Sequence, residues 1–563
     1  MKHLLPFLLL AATVVAQTLD PAEILKPLAN DWPTYSGDYS GQRHSRLTQI
    51  NRANVKGLSL AWTSRVTAGP GAPAGGGGRG GFGGFGGGPP TIVGGEGTGE
   101  MAANPFGGGT NIRASVLAVD GTLYFSTPDN AWAVDARDGT VLWHYFWKTK
   151  GGTHIGNRGL GMWRKWLYME TPDDYLVCLD SQTGKERWHV PIADFNRLSF
   201  STMAPIVIGN HIIVGTGNDL DAPGYVQARD PETGAVQWTW YTVPQKKGDP
   251  GWETWGTIEG ARLGAGNVWI PGSYDPETKL YIFGTGNPSP SYTSPPSRDG
   301  DNLFTCSIVA LDVETGKMAW YYQMNPHDTH DWDSSETPIL VDGEFNGKQR
   351  KMVMHADRNG YFWVLDRTNG EHLLTSKFSG TVNWVKEINA KGQTIRDPKK
   401  DSLVPGSLVS PNNYGATNWP PAAYSPETGY FYVPQSDTYA MYYLTETDPR
   451  GAMGLGGKDE QMVTSLGAYL TAIDYKTGKI AWRHRYPGAG GFGGGNGVLT
   501  TAGGLVFAGD LSGNLIGYDA KTGKILWHAR LGNVSNAPQT YVLDGKQFLL
   551  VAAGDALYSF YLQ

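Results

Sequence analysis

Cysteine is almost missing from this sequence: only Cys178 and Cys306 occur among 563 residues. That excludes a disulfide-stapled scaffold and, with no CxxCH run, a covalently attached c-type haem. Both cysteines sit in apolar, strand-like runs and are read as buried free thiols, with one bridge between them as the alternative. Charge is scarce as well. Charged residues make up 17% and the formal net charge is −6, so no basic footprint for nucleic acid exists. Beyond the N-terminus no apolar run reaches the roughly 20 residues that a membrane span requires. Helix signals are few, and no strict Gly-X-Y period is present, which excludes collagen. What the chain does have is 78 glycines and 12% aromatic residues. Much glycine, many aromatics and few charges describe short strands joined by tight turns, and the aromatics argue against global disorder.

The first residues, Met1-Lys2-His3, precede an apolar run from Leu4 to Val15. Val14-Val15-Ala16 then places small residues ahead of a cut before Gln17. This pattern predicts a signal peptide over 1–16 and export to the periplasm as a soluble protein. No cysteine directly follows the cut, so a lipoprotein anchor is not expected. Asp20-Pro21-Ala22-Glu23 has the residue types of a capped helix start, which predicts a short helical segment within 17–30, ending near Leu28. Residues 69–109 are glycine-rich and nearly featureless, read as a flexible insertion or lid; 488–497 repeat that composition on a smaller scale.

One pattern organises residues 31–563: Asp, Gly four later, Trp eight later. It occurs at Asp135/Gly139/Trp143, Asp180/Gly184/Trp188, Asp230/Gly234/Trp238, Asp312/Gly316/Trp320, Asp474/Gly478/Trp482 and Asp519/Gly523/Trp527. A seventh copy, Asp366/Gly370, carries Leu374 instead of Trp, and a degraded eighth ends at Trp62. The Asp and Gly make a tight turn between two strands, with Gly free to take φ > 0. An aromatic at the same place in every unit suits packing between neighbouring sheets. Adjacent copies are spaced by about 45 to 54 residues, the length of a four-stranded blade. The expected fold is therefore all-β: an eight-bladed β-propeller, closed so that few sheet edges stay exposed. The longer steps, Asp230 to Asp312 and Asp366 to Asp474, carry inserted loops.

The chemistry-bearing residues lie off this repeat. Asp219 (in Gly215-Thr-Gly-Asn-Asp), Asn287 (in Gly284-Thr-Gly-Asn-Pro), Asp331 and Asp333 (in His327-Asp-Thr-His-Asp-Trp-Asp) are oxygen donors on turn-like segments. Such a set suits a hard cation such as Ca²⁺; individually each is equally at home as a solvated turn residue. His327 and His330 offer an HxxH zinc reading, weak without a helix or a third ligand. Arg158 and Arg358 are suited to clamping an anionic group bidentately.

Taken together these segments resemble the quinoprotein alcohol dehydrogenases, eight-bladed propeller enzymes that use pyrroloquinoline quinone (PQQ). The likeness begins at Trp32-Pro-Thr-Tyr-Ser-Gly-Asp38 and spans nearly the whole mature chain. It implies that Arg158, Thr202, Thr216 and Gly217 hold the quinone's carboxylates and carbonyls, and that Trp269 floors the ring. It further implies that Asn418 and Trp419 touch the cofactor, that Asp219, Asn287, Asp331 and Asp333 ligate the ion, and that Asp331 is the catalytic base beside Arg358. The family usually has Glu where Asp219 stands. An added carboxylate at Asp333 keeps both Ca²⁺ and a lanthanide in play.

The chain also departs from the pattern. Gly151-Gly152-Thr153-His154 stands where the family has adjacent cysteines, Arg113 where a Glu is usual, and Gly495 where a Trp is expected. The implied reaction is oxidation of an alcohol or sugar hydroxyl, with electrons passed to a separate cytochrome c. The rival reading is a non-catalytic propeller acting as an envelope scaffold or assembly factor, which shares the Asp-Gly-Trp repeats but needs no oxygen-ligand cluster.

Overall fold

The computed structural model describes residues 18–66, 111–150, 157–218, 222–444, 458–488 and 495–563. The expected signal peptide, the glycine-rich 69–109, His154 and Asp219 therefore lie outside the described residues. Among the described residues the one α-helix is Ile258–Arg262. The rest of the regular structure is strand, arranged as eight separate sheets of at least four strands and one small two-stranded ribbon.

Each large sheet is built on an antiparallel blade of four strands, and His44–Ser45 adds in parallel to the inner edge of one of them. Blade 1 runs Leu117–Val119, Thr122–Thr127, Asn130–Asp135, Val141–Phe146. Blades 2 to 5 span 161–191, 206–241, 273–323 and 339–377 in the same order. In blade 6, Ala423–Ser425 pairs with the long strand Tyr430–Leu444, which leads on to Lys458–Asp474 and Ile480–Arg485. Blade 7 spans 498–530. Blade 8 takes its three inner strands from 539–562 and its fourth, Leu58–Arg65, from the N-terminal side of the chain. Leu58–Arg65 pairs antiparallel with Ala556–Leu562, so the two ends of the chain lock one blade. The first three strands of blade 1 are almost wholly buried, whereas Val141–Phe146 is largely half-exposed or exposed. Strand one is therefore innermost and strand four outermost.

The repeat explains why the blades close. The indole Nε1 of six of the outer-strand tryptophans donates to a backbone carbonyl in the next blade. These bonds are Trp62 to Ala136 (3.1 Å), Trp143 to Ser181 (2.8 Å), Trp188 to Glu232 (2.9 Å), Trp238 to Val313 (2.8 Å), Trp320 to Arg367 (2.9 Å) and Trp482 to Ala520 (2.9 Å). The repeat glycine makes room for that indole. At Gly184, with φ +66°, a Cβ would sit 2.6 Å from Trp143, so any other residue would push the blades apart. Leu374 breaks the series and packs under Gly478 instead. Trp527 packs edge-on against Phe560 of blade 8 at 5.2 Å. The contacts thus run from blade 8 through blades 1 to 7 and back, and Trp62 is the eighth unit of the ring.

Two further expectations meet the coordinates. Cys178 and Cys306 are both free and buried. The N-terminal helix is absent: residues 21–25 form successive turns. Asp20 accepts from Ala22 N (2.9 Å), as a cap would, but Pro21 and Pro27 bracket a stretch too short to sustain a helix. Leu19 instead bridges to Arg164 of blade 2, and Leu19 and Ile24 pack into the core.

Candidate active site

In an antiparallel pair the start of strand one and the end of strand two lie at the same end of the sheet. Every blade therefore offers two positions on one face of the ring. Arg158, Thr202, Trp269, Asp331, Asp333 and Trp419 precede the first strands of blades 2 to 6; Thr216, Gly217, Asn287 and Arg358 end or follow the second strands of blades 3 to 5. Residues scattered over 260 positions of sequence are gathered at one end by topology alone.

Backbone bonds stitch this face together. Arg158 N donates to Thr202 O (3.1 Å) and Ser115 N donates to Arg158 O (2.9 Å), linking blades 1, 2 and 3. The Thr202 hydroxyl reaches Trp269 O at 3.4 Å, linking blades 3 and 4. Gly217 has no room for a side chain, since a Cβ would lie 2.2 Å from Asn267 Oδ1.

Two half-buried indoles and three guanidiniums dominate the surface. Arg158 is buried and its guanidinium lies 5.1 Å from the Trp269 ring and 4.4 Å from the Trp419 ring. Arg358 lies 5.5 Å from Trp269, and Arg113 lies 5.9 Å from Trp419. Flat aromatic faces beside convergent guanidiniums recognise a planar anion, by stacking and by bidentate hydrogen bonding.

The acidic side of the site is built on residues 325–335, an irregular loop with a rigid frame. Trp332 is fully buried and its Nε1 donates to Asn412 O (2.8 Å). Asp328 accepts from Trp332 N (3.0 Å). The His330 ring stacks on Trp332 with centroids 4.2 Å apart. This anchoring presents Asp331 with φ +68°, a strained conformation for a non-glycine residue and a recurrent mark of functional loops. Arg358 Nη1 donates to Asp331 O (3.1 Å) while its Nη2 pairs with Asp333 Oδ2 at 3.2 Å. Asp333 also accepts from Trp269 Nε1 (2.8 Å) and from Asn287 N (2.6 Å). Asn287, Asp331, Asp333 and Arg358 thus meet in one hydrogen-bonded group.

Not every predicted side chain faces this group. The Thr216 hydroxyl donates to Phe200 O (2.8 Å) and Asn418 Nδ2 donates to Tyr414 O (2.9 Å), so both buttress the site by local bonds. Gly495 lies against Tyr486. The two histidines do not form a zinc pair: His327 Nδ1 bonds Gly300 O (2.6 Å) and His330 Nε2 bonds Lys400 O (2.7 Å), on different segments. Among the described residues no group of three His, Cys, Asp or Glu side chains is arranged to hold a metal ion.

Behind Arg358 lies a feature that spacing did not mark. Glu336 Oε1 is 4.0 Å from Arg358 Nε, and His355 Nε2 is 3.5 Å from both Glu336 and Asp357. Burial pushes the Glu336 carboxyl well above the usual carboxylate range, reinforced by the Asp357 charge and opposed by Arg358. The signal in the sequence was only a Glu three residues after Asp333.

An eight-bladed propeller with an aromatic, guanidinium-lined site at one end of its ring defines a class of redox enzymes, and the comparisons agree. The family model described as glucose/ethanol/alcohol dehydrogenase, beta-propeller domain, matches residues 32–377. A second, described as outer membrane protein assembly factor BamB, matches residues 450–561. The quinohemoprotein alcohol dehydrogenase of Comamonas testosteroni is 34% identical over 93% of this chain and 72% of that protein. Its crystal structure superposes with a TM-score of 0.81 at 30% identity, covering 97% of this chain and 83% of the other. The lanthanide-dependent methanol dehydrogenase of Methylacidiphilum fumariolicum is 31% identical over 97% of this chain and 88% of that protein. The chain belongs to the PQQ-dependent quinoprotein alcohol dehydrogenase family. No helix among the described residues is long and apolar enough to cross a membrane.

Proposed function

We propose that this chain is a periplasmic dehydrogenase that oxidises an alcohol or sugar hydroxyl to a carbonyl, using PQQ and an oxygen-ligated cation, Ca²⁺ or a lanthanide. The observation that carries this reading is the placement of the Arg158 guanidinium against both Trp269 and Trp419, beside the group made by Asn287, Asp331, Asp333 and Arg358. Those residues fit the cofactor chemically: stacking surfaces for a flat ring, guanidiniums for its carboxylates, and hard oxygen donors for the ion. Arg158, Arg358, Thr202, Gly217, Trp269 and Trp419 would hold PQQ, with Thr216 and Asn418 supporting them. Asn287, Asp331 and Asp333, with Asp219, would hold the ion. When bound, PQQ supplies the two-electron acceptor and the cation acts on it as a Lewis acid.

The remaining work falls to the chain's own side chains. Asp331 takes the hydroxyl proton of the substrate as general base. Arg358 fixes the Asp331 backbone and places positive charge where negative charge develops. Electrons leave to a separate cytochrome c. The match of residues 450–561 to an assembly factor falls on the last blades, where the repeat recurs but few of these residues stand.

The test is reconstitution with PQQ and either Ca²⁺ or a light lanthanide, followed by dye reduction with an alcohol and sugar panel. Turnover is expected with one ion or both. Asp331→Asn is expected to lower it roughly 10²- to 10⁴-fold with the fold intact by circular dichroism. An Asp331→Asn variant at parental rate refutes the base; no dye reduction under any condition refutes the enzyme and favours the scaffold.

A further inference from the structure

The inserted connection between the second and third strands of blade 4 runs from Gly284 to Ser307, and it carries more than Asn287. Tyr292 within it is buried, with a relative exposure of 1%. Its hydroxyl donates to Asp331 Oδ2 at 3.2 Å. The same hydroxyl accepts from Asn413 Nδ2 at 3.4 Å, from the loop that precedes blade 6. Its ring packs against Tyr442 with centroids 6.3 Å apart. The neighbouring Ser291 hydroxyl accepts from Asn287 Nδ2 at 2.6 Å.

Asp331 is therefore held twice. Its backbone is fixed by Arg358 at the carbonyl, and one carboxylate oxygen is fixed by a phenol from another blade. The carboxylate torsion is broad and two-fold in the absence of such a contact. Anchoring Oδ2 sets the direction of Oδ1. Donating to Asp331 satisfies the hydrogen of a buried phenol whose oxygen already accepts from Asn413.

We propose that Tyr292 is the positioning residue of the base: its phenol orients the Asp331 carboxylate toward the substrate hydroxyl, and Asn413 orients the phenol. The assignment rests on the reading of Asp331 as the base. It gives the serine- and proline-rich run Pro288–Pro296 a role, which nothing in its spacing revealed.

Tyr292→Phe removes the donor and keeps the ring. It is expected to lower kcat roughly ten- to hundredfold, the scale of a small misplacement of a reacting group. KM and PQQ affinity, the latter read by quenching of tryptophan fluorescence, should stay within about twofold of the parent. On an Asp331→Asn background the same change should cost nothing further, because the two residues act as one unit. A second readout needs neither cofactor nor turnover. The tyrosine Fermi doublet in ultraviolet resonance Raman, isolated as parent minus Tyr292→Phe, should shift in Asp331→Asn.

Parental kcat in Tyr292→Phe, a penalty that multiplies with that of Asp331→Asn, or a doublet unmoved by Asp331→Asn each overturns the proposal. A parent with no turnover but a shifting doublet removes the dehydrogenase reading, and the catalytic role with it, while leaving the contact standing.

Discussion

Blades 5 and 7 make the same turn and put it to different use. In blade 7 the second strand ends at Gly509, and Asp510 accepts from Ser512 N (2.9 Å) and Asn514 N (2.8 Å) to close the turn before Asn514. In blade 5 the second strand ends at Ala356, and Asp357 accepts from Asn359 N (2.9 Å) to close the turn before Tyr361. Both Asp residues also take side-chain donors, Asp357 from Asn325 and Ser334 and Asp510 from Asn514. The residue that follows is what differs. Leu511 is 44% exposed, whereas Arg358 is 7% exposed and reaches Asp331, Asp333 and Glu336. The repeat supplies a turn, and one side chain on it decides whether the turn faces solvent or joins the hydrogen-bonded group of Asp331 and Asp333. Blades 3 and 4 go further by lengthening the same connection, to Tyr225 and Ser307 respectively, while blade 8 keeps it as short as Ala553 to Ala556.

The sharpest way to break this comparison is to make blade 5 resemble blade 7. Arg358→Leu should lower turnover roughly 10²- to 10³-fold, since it removes a preorganised cation from the site. It should also weaken PQQ binding, because Arg358 is one of the guanidiniums beside Trp269. The reverse change, Leu511→Arg, should leave both within about twofold. Equal losses from the two variants would mean that Arg358 acts through the turn rather than through the site. The measurements are steady-state dye reduction and fluorescence titration of the cofactor.

That asymmetry also explains what the sequence could disclose. The repeat was legible because each copy spaces its turn Asp, its Gly and its indole alike; docking joins neighbouring copies, Gly184 lying under Trp143 and Gly316 under Trp238. The degraded copy ending at Trp62 keeps only the indole, with Asn54 and Leu58 at the Asp and Gly positions, and it proved to be the outer strand of the closing blade. Asp331 and Asp333 could be nominated as oxygen donors and Arg158 and Arg358 as anion clamps, while Trp269 came from the family resemblance. Where a hydroxyl or amide spends its hydrogen bonds depends on how the loop around it folds, so the bonds of Thr216 to Phe200 and Asn418 to Tyr414 were not visible. Tyr292 and Glu336 were missed because a buried phenol or carboxyl carries no periodic mark. The short N-terminal helix failed for a local reason, since two prolines bracket it and tertiary contacts of Leu19 and Ile24 decide its path.

A second prediction concerns the rim, where the repeat should be worth stability and little else. Trp238→Ala removes a half-buried indole and its bond to Val313 O, and should cost about 2–4 kcal/mol. Leu374→Ala, at the one unit without an indole, should cost about half as much. Denaturant midpoints measure both, and PQQ affinity should hold in each once the protein is folded. A Trp238 variant that loses cofactor affinity before it loses stability would show that rim and site are not separable.

The smallest expected effect sharpens the comparison at a third turn, in blade 1. Asp129 stands between the second and third strands, as Asp357 and Asp510 do, but it is fully buried and its carboxyl is pushed up to about 8 by desolvation, with Asp173 adding to the effect. The ordinary value is 3.8. Between those values the folded protein holds a proton that the unfolded chain releases. The stabilisation tied to that proton is complete below pH 3.8 and is lost as pH rises through about 8. Asp129→Asn keeps the shape and cannot ionise. Its melting temperature should therefore match or fall below the parent's near pH 4, overtake it as pH rises, and hold a constant advantage of a few degrees above pH 8. Thermal melts at several pH values read the difference directly. A difference that is flat with pH would mean that Asp129 ionises in the folded protein as it does in water.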